Sequence, residues 1–505
     1  MSIREQDMRL KLLNSLLTTP HGDLDVTYLV HDEIVEQDPR FYVQLAAWYT
    51  DEGEVRDHKE MFVINLVLSK FPGHRDVGLA LLRQMPPYQV GRVFDFIKGR
   101  TARGKVKAKR KRDGTPQEGA IQKLGLTRNI PRSMKTEITR YLREREANPA
   151  WFDSSALQAR NIMKRLYASL RIKPSERAQA ILFDEKPPTD SRLYMLKQIA
   201  KAESPAEQAR AIVEHRIPYR VAASLIKQMT PMVLVALINN MSSQELINNI
   251  GSLKRHGAFD NPDLNALIEQ KLEKAKSAKR VSAYKAKQAI KAANVSQEVA
   301  KKLDAVTEAQ VKAKGTIKVP TALLIDASGS MSQAIEIGKR MGAMLAGVTE
   351  DEAALYVYAF DTMGYTIEAA GPSLAEWEEV MRGIRAGGAT SCGVAIEMMR
   401  RKGQMVEQII MITDEGENTA PYFAETLQRY NRELGANPHV VFVKTRGASD
   451  LLERRCRQAK IAFDAYQFTG DYYALPNLIP LLSRTSKLDL LMDIMAYRLP
   501  KRKAA

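Results

Sequence analysis

Five oxygen-bearing side chains carry the clearest chemistry in this sequence. Asp326, Ser328 and Ser330 lie in the run TALLIDASGSMSQA at 321–334, Thr390 lies in GGATSCG, and Asp414 follows the apolar run IIMIT. In the first run, a buried parallel strand leads into D-A-S-G-S and then a helix. That order brings a carboxylate and two hydroxyls to the C-terminal end of a strand, where open α/β sheets place their ligands. All five donors are hard oxygens. Magnesium takes six oxygens in near-octahedral geometry and keeps some of its water. The two serine hydroxyls suit direct coordination, while Asp326, Thr390 and Asp414 can bind directly or through water. Two carboxylates leave the ion's charge incompletely met, so an open position can accept a carboxylate from a partner. The plainer alternative is a strand–helix turn whose Asp and Ser cap the next helix. Thr390 and Asp414, each after the right kind of segment and in order, favour a Mg2+ site, with Mn2+ as the second choice.

A second chemistry is cationic. Arg128, Arg132 and Lys135 cluster at the start of RNIPRSMKTEITRYL, and Arg160, Lys164 and Arg165 are followed by Arg171 and Lys173. Arg160 and Lys164, four apart, share a helical face and can present two donors to one phosphate backbone. Positions 99–119 read GRTARGKVKAKRKRDGTPQEG, a basic loop that includes Lys107, Lys109, Arg110 and Lys111. Such a loop binds polyanions without sequence choice and loses affinity as salt rises. For each cluster the competing reading is a solvated helix face or a tether.

Other patterns fail on inspection. Gly99-RTAR-Gly104-Lys105-Val106 resembles a phosphate loop but has Val106 where a Ser or Thr must hold the metal. No G-x-S-x-G elbow occurs, and the seven histidines show neither H-E-x-x-H nor zinc-finger spacing. No catalytic residue is assigned, and the expectation is a binding protein, not an enzyme.

Charge divides the chain. It carries 76 basic and 59 acidic residues, net +17; of these, 15 and 21 fall between positions 319 and 471, leaving 61 and 38 elsewhere. The region with the metal motif is therefore acidic and the remainder strongly basic, which assigns a polyanionic partner to the remainder. Two cysteines, Cys392 and Cys456, supply no disulfide framework, and no stretch approaches the ~20 apolar residues of a membrane helix. A cytoplasmic protein without a signal peptide or membrane association is expected.

Two architectures must position these residues. Up to about Gly315, short amphipathic segments such as DPRFYVQLAAWYT, KEMFVINLVLSKF, HRDVGLALLRQM and SQELINNIGSLKRHG repeat apolar residues at helical spacing, and many segments of this region begin with Pro, Ser, Asp or Asn. Joined by short polar linkers, they predict stacked helical hairpins, a HEAT-like α-solenoid, although no strict repeat period appears. From Pro320 the runs TALLIDA, AALYVYAF, EQIIMIT, HVVFVKT and IAFDAYQF alternate with helical segments, the pattern of a doubly wound, Rossmann-like sheet. The expected domains are 1–316 (helical, with the 99–119 loop inserted), 317–482 (α/β) and 483–505 (a helix that packs back, then a basic tail).

DASGS, GGATS and ITDEG together resemble the metal-ion-dependent adhesion site of von Willebrand factor A (vWA) domains, at all five ligand positions. A vWA domain after a basic helical region resembles the Ro autoantigen family, whose TROVE domain closes into a ring with its vWA domain. DPRFYVQLAAW, PPYQVGRVFDFIKG, LTRNIPRSMKTEITRYL and MTPMVLVALINNMSSQELINNIGSL extend that resemblance over most of the chain. The resemblance implies a bacterial-type Ro ortholog: a monomeric ring whose outer helices bind small noncoding (Y-like) RNA and whose hole takes single-stranded ends of defective RNA. RNA quality control, or an adaptor role for an exoribonuclease held through the vWA site, would follow. The alternative is a metal-dependent protein-interaction scaffold without RNA.

Overall fold

A computed structural model describes residues 24–53, 55–102, 123–199, 201–202, 204–278, 281–350, 354–445, 447–468, 479–482 and 487–502. The chain divides into two compact units; in described residues, one comprises 24–271 with 494–502 and the other 272–493. Among the described residues no helix is long and apolar enough to cross a membrane.

The first unit is helical. It begins with α1 (Leu24–Gln37), α2 (Pro39–Glu52), α3 (Arg56–Leu68), α4 (His74–Gln84) and α5 (Pro87–Ile97). A two-residue antiparallel ladder, β1 (Thr101–Ala102) with β2 (Lys123–Leu124), flanks the basic insertion. Then follow α6 (Arg132–Glu146), α7 (Pro149–Leu170), α8 (Glu176–Leu182), α9 (Arg192–Ile199), α10 (Pro205–His215), α11 (Tyr219–Leu225), α12 (Pro231–Asn240), α13 (Ser243–Arg255) and α14 (Pro262–Ala275). Local chemistry sets many of their starts. Asp38, Asn148, Ser175, Ser204 and Ser242 each accept a first-turn N–H, and Pro opens α2, α5, α7, α10 and α12, where its missing donor costs nothing. The anticipated periodicity is realised as burial of Met61 and Ile64 on α3 and of Leu246, Ile250 and Leu253 on α13.

The Lys- and Ala-rich stretch at 267–314 is helical in separate pieces. After α14 it breaks into α15 (Ala283–Ala293) and α16 (Gln297–Lys312), each capped by a serine, Ser282 and Ser296. Both helices belong to the second compact unit, so that unit starts at Leu272, whereas the sequence reading begins its α/β domain at 317. A physical link is Lys287 of α15, which bridges Asp304 of α16 (2.7 Å) and Glu378 (2.5 Å) from the sheet region.

The sheet has strands β3 (Thr321–Asp326), β4 (Leu355–Phe360), β5 (Gly364–Ile367), β6 (Gln408–Thr413), β7 (His439–Lys444) and β8 (Phe463–Gln467) in the order β5-β4-β3-β6-β7-β8. All pairs are parallel except β4–β5, an antiparallel edge absent from the sequence reading because GYTI is short and mostly exposed. Between the strands lie α17 (Ile335–Gly347), α18 (Leu374–Met381), α19 (Val394–Lys402), α20 (Phe423–Leu434) and α21 (Leu451–Gln458). Strand alternation divides the core. Ala322, Leu324, Met411 and Phe442 pack with residues of α19, α20 and α21. Ile325 and Ile412 face α17, beside its Gly338 and Gly342. With helices on both faces, the sheet is doubly wound, as expected. The chain ends with α22 (Ile479–Leu482) and α23 (Lys487–Ala496).

Candidate metal centre and cationic surface

The oxygen donors lie on three loops at the C-terminal ends of β3 and β6. Asp326 ends β3; its Oδ1 accepts the Ser328 N–H (2.9 Å) and its Oδ2 accepts the Thr413 hydroxyl (2.7 Å). The Ser328 and Ser330 hydroxyls are 3.1 Å apart. The loop carrying Thr390 bonds to this turn through backbone alone: Gly387 N–H donates to Ala327 O (2.8 Å) and Gly329 N–H to Gly388 O (3.0 Å). Thr390 is also tied to the Asp414 side. Its N–H donates to Asn418 Oδ1 (2.9 Å), and its carbonyl accepts the N–H groups of Asn418 and Thr419. Asp414 Oδ1 accepts the Gly416 N–H (3.0 Å), and a Cβ placed on Gly416 would lie 3.0 Å from that oxygen and 3.6 Å from Ser330 Oγ. Asp414 and Ser330 thus approach the same small volume beside a residue that has no side chain. Hydrogen bonds therefore link the three loops, and the Gly416 contacts bring two of the predicted donors close.

Burial is graded. Asp326, Ser328 and Thr390 are buried, Asp414 is half-buried and Ser330 is exposed, so the cluster opens on one side. Burial pushes the Asp326 carboxyl up to about 6; hydrogen bonds from Ser328 and Thr413 oppose the rise and the Asp414 charge adds to it. Two carboxylates that repel each other make a place where a divalent ion's charge would be welcome. With three hydroxyls, the donor set is all hard oxygen and fits Mg2+ or Mn2+. Among the described residues there is no group of three or more His, Cys, Asp or Glu side chains that could hold a metal. Cys392, two residues past Thr390, is buried, and that burial pushes its thiol well up.

Sequence reasoning missed the residues that hold the donors. Thr413 reads as the last strand residue, and Asn418 as loop. Glu415 is fully buried with φ +62°, and Lys444 lies 3.4 Å from its carboxylate.

The cationic residues fare unevenly. Arg128, Arg132 and Lys135 are exposed, Arg128 just before α6 and the others in its first turn. Arg165, Arg171 and Lys173 are exposed as well, Arg171 as the left-handed cap of α7. Arg165 pairs with Asp95 (2.5 Å), however, and Arg160 is largely spent inside the fold. Its guanidinium donates to the carbonyls of Ile181 (3.1 Å) and Leu182 (3.4 Å) and to Glu185 (3.1 Å), capping the end of α8. Lys164 is half-buried over the Phe183 ring. Helical geometry breaks at Ala159, but Arg160 and Lys164 both follow the break and keep their shared turn. Lys107, Lys109, Arg110 and Lys111 lie outside the described residues.

No family model matches the chain, and no curated protein does. Solved structures do. The crystal structure of the Deinococcus radiodurans RO (RSR) protein superposes with a TM-score of 0.57 at 12% identity, covering 90% of this chain and 93% of that one. BatB of Bacteroides thetaiotaomicron (14% identity) and a von Willebrand factor type A protein of Catenulispora acidiphila (17%) each cover 34% of this chain at a TM-score of 0.27, with 98% and 43% of their own lengths covered. Those two local likenesses bear no weight. At 12% identity the first shows architecture, and it shows it over nearly the whole length: the chain has the fold of a Ro protein, a helical region followed by a doubly wound α/β sheet.

Proposed function

We propose that this chain is a Ro-family RNA-binding protein, in which exposed basic side chains of the helical unit grip a small structured noncoding RNA. The observation that carries the reading is the likeness to the RO (RSR) protein over 90% of the chain, joined to a basic excess that lies outside the sheet region. Phosphate contacts of this kind set affinity and register, whereas shape selects the RNA. The finer reading rests on the sequence resemblance: Y-like RNA, single-stranded ends of defective RNA, cytoplasmic quality control, and an adaptor role for an exoribonuclease. The metal centre is the protein-binding half. Asp326, Ser328, Ser330, Thr390 and Asp414 would hold Mg2+ or Mn2+, and the ion would supply an electrophile for a partner's carboxylate. The role is binding, not catalysis; among the described residues, the Ser328 and Ser330 hydroxyls hydrogen-bond each other and no histidine.

The test is RNA affinity against salt for the parent chain, Arg132→Glu/Lys135→Glu, Lys164→Glu/Lys173→Glu and Asp326→Ala. These pairs leave Arg160 and Arg165 in place, because both support the fold. Each cationic pair should weaken binding of a small structured RNA and flatten the salt slope by about one unit for every phosphate no longer neutralised. Asp326→Ala should leave RNA affinity near the parent value. Absence of RNA binding by the parent at low salt would leave the metal-dependent scaffold as the better reading.

A further inference from the structure

Thr413 closes β6 one residue before Asp414, and it is fully buried. Its hydroxyl accepts the Glu415 N–H (2.9 Å) and donates to Asp326 Oδ2 (2.7 Å). A hydroxyl has one proton, and an N–H can engage only its lone pairs, so the proton must point at the carboxylate. Asp326 is then held at both oxygens, by Ser328 N–H and by Thr413. The same hydroxyl also pins the turn that carries Asp414. Glu415 adopts a left-handed backbone that L side chains seldom take. Thr413 bonds its amide, the Ser449 hydroxyl bonds its carbonyl (3.1 Å), and Ser449 N–H bonds the Asp414 carbonyl (2.9 Å). One hydroxyl therefore ties the Asp326 carboxylate at the end of β3 to the turn after the neighbouring strand β6, the turn that carries Asp414.

We propose that Thr413 is a positioning residue of the metal centre: it sets the Asp326 carboxylate and the Asp414 turn in one arrangement before a hard divalent cation binds. This rests on the metal reading above. Thr413 acts through Asp326, with its own hydroxyl already committed to a donor and an acceptor. Groups that orient first ligands in this way change metal affinity by ~10–100-fold when removed.

Mn2+ titration of the full chain, read by electron paramagnetic resonance of the free ion, tests the assignment. Thr413→Val keeps the shape and loses both bonds; it should bind Mn2+ ~10–100-fold more weakly with its near-UV circular dichroism unchanged. Thr413→Ser keeps the hydroxyl and should bind within a few-fold of the parent. Should the Val variant fail to fold, Thr413→Ser against Thr413→Ala repeats the comparison. A Val variant that binds as tightly as the parent, while Asp326→Ala does not bind, sinks the positioning role and leaves the metal reading intact. A Ser variant that loses as much as Val also sinks it, since packing would then be the cause. A parent chain that takes up no Mn2+ removes the metal reading itself.

Discussion

At the scale of single residues, the chain buries ionisable groups whose charge state is set by their surroundings. His31 is fully buried between Tyr42, whose hydroxyl is 2.9 Å from Nδ1, and His58, whose Nδ1 is 3.1 Å from Nε2. Burial holds its imidazole well below the ordinary 6.5, and His58 pushes the same way. In the unfolded chain His31 gains a proton as pH falls through 6.5, while the folded chain resists. The unfolded state then binds more protons, so stability present above that pH is lost as pH falls, by up to about 1.4 kcal/mol per unit. Urea midpoints should drop between pH 7 and 5, and His31→Gln should flatten that slope; equal slopes would remove His31 as the cause. Sequence reading met the histidines as scattered, since nothing local announces a contact across 27 residues. The five oxygen-bearing side chains, by contrast, stand in short turn motifs that a local reading can pick out.

Elements bring those donors together, and Gly393 shows how tightly. It immediately precedes α19, just after Thr390, Ser391 and Cys392. A Cβ there would come within 2.6 Å of Pro421 O and 2.7 Å of Tyr422 O, both backbone atoms ahead of α20. Gly393→Ala should therefore push α19 from that turn and cost about 1–3 kcal/mol. The displacement would reach the Thr390 loop, so Mn2+ affinity should fall alongside the melting temperature. An unchanged melting temperature would show that the turn yields freely. The sequence foretold this glycine only as part of GGATSCG. Strands were read correctly where apolar runs are continuous; GYTI escaped because four mostly exposed residues carry no period. Lys- and Ala-rich composition favours helix throughout 267–314, and the division between α15 and α16 lies at the local caps Asn294 and Ser296.

On the scale of the whole molecule, the chain returns to its first compact unit. Arg502 Nε donates to Glu137 (2.8 Å) and its Nη1 to Asp76 (3.2 Å), while the Tyr497 hydroxyl bonds Asp51. Glu137 is fully buried and keeps Arg83 at 3.2 Å as a second partner. Arg502→Ala should therefore cost about 1–3 kcal/mol, below the full penalty of an orphaned buried charge. Thermal melting checks this, and no shift would mean that Arg83 alone suffices. The basic tail was legible as composition, whereas the acidic residues that receive it were not. By itself the sequence determined the segregation of charge and the helical and α/β classes, because each is a property of neighbouring residues. Only tertiary structure decided which arginines are spent inside the fold, which hydroxyl orients Asp326 and where the chain end is anchored. Those facts join residues tens to hundreds of positions apart, and packing alone sets such distances.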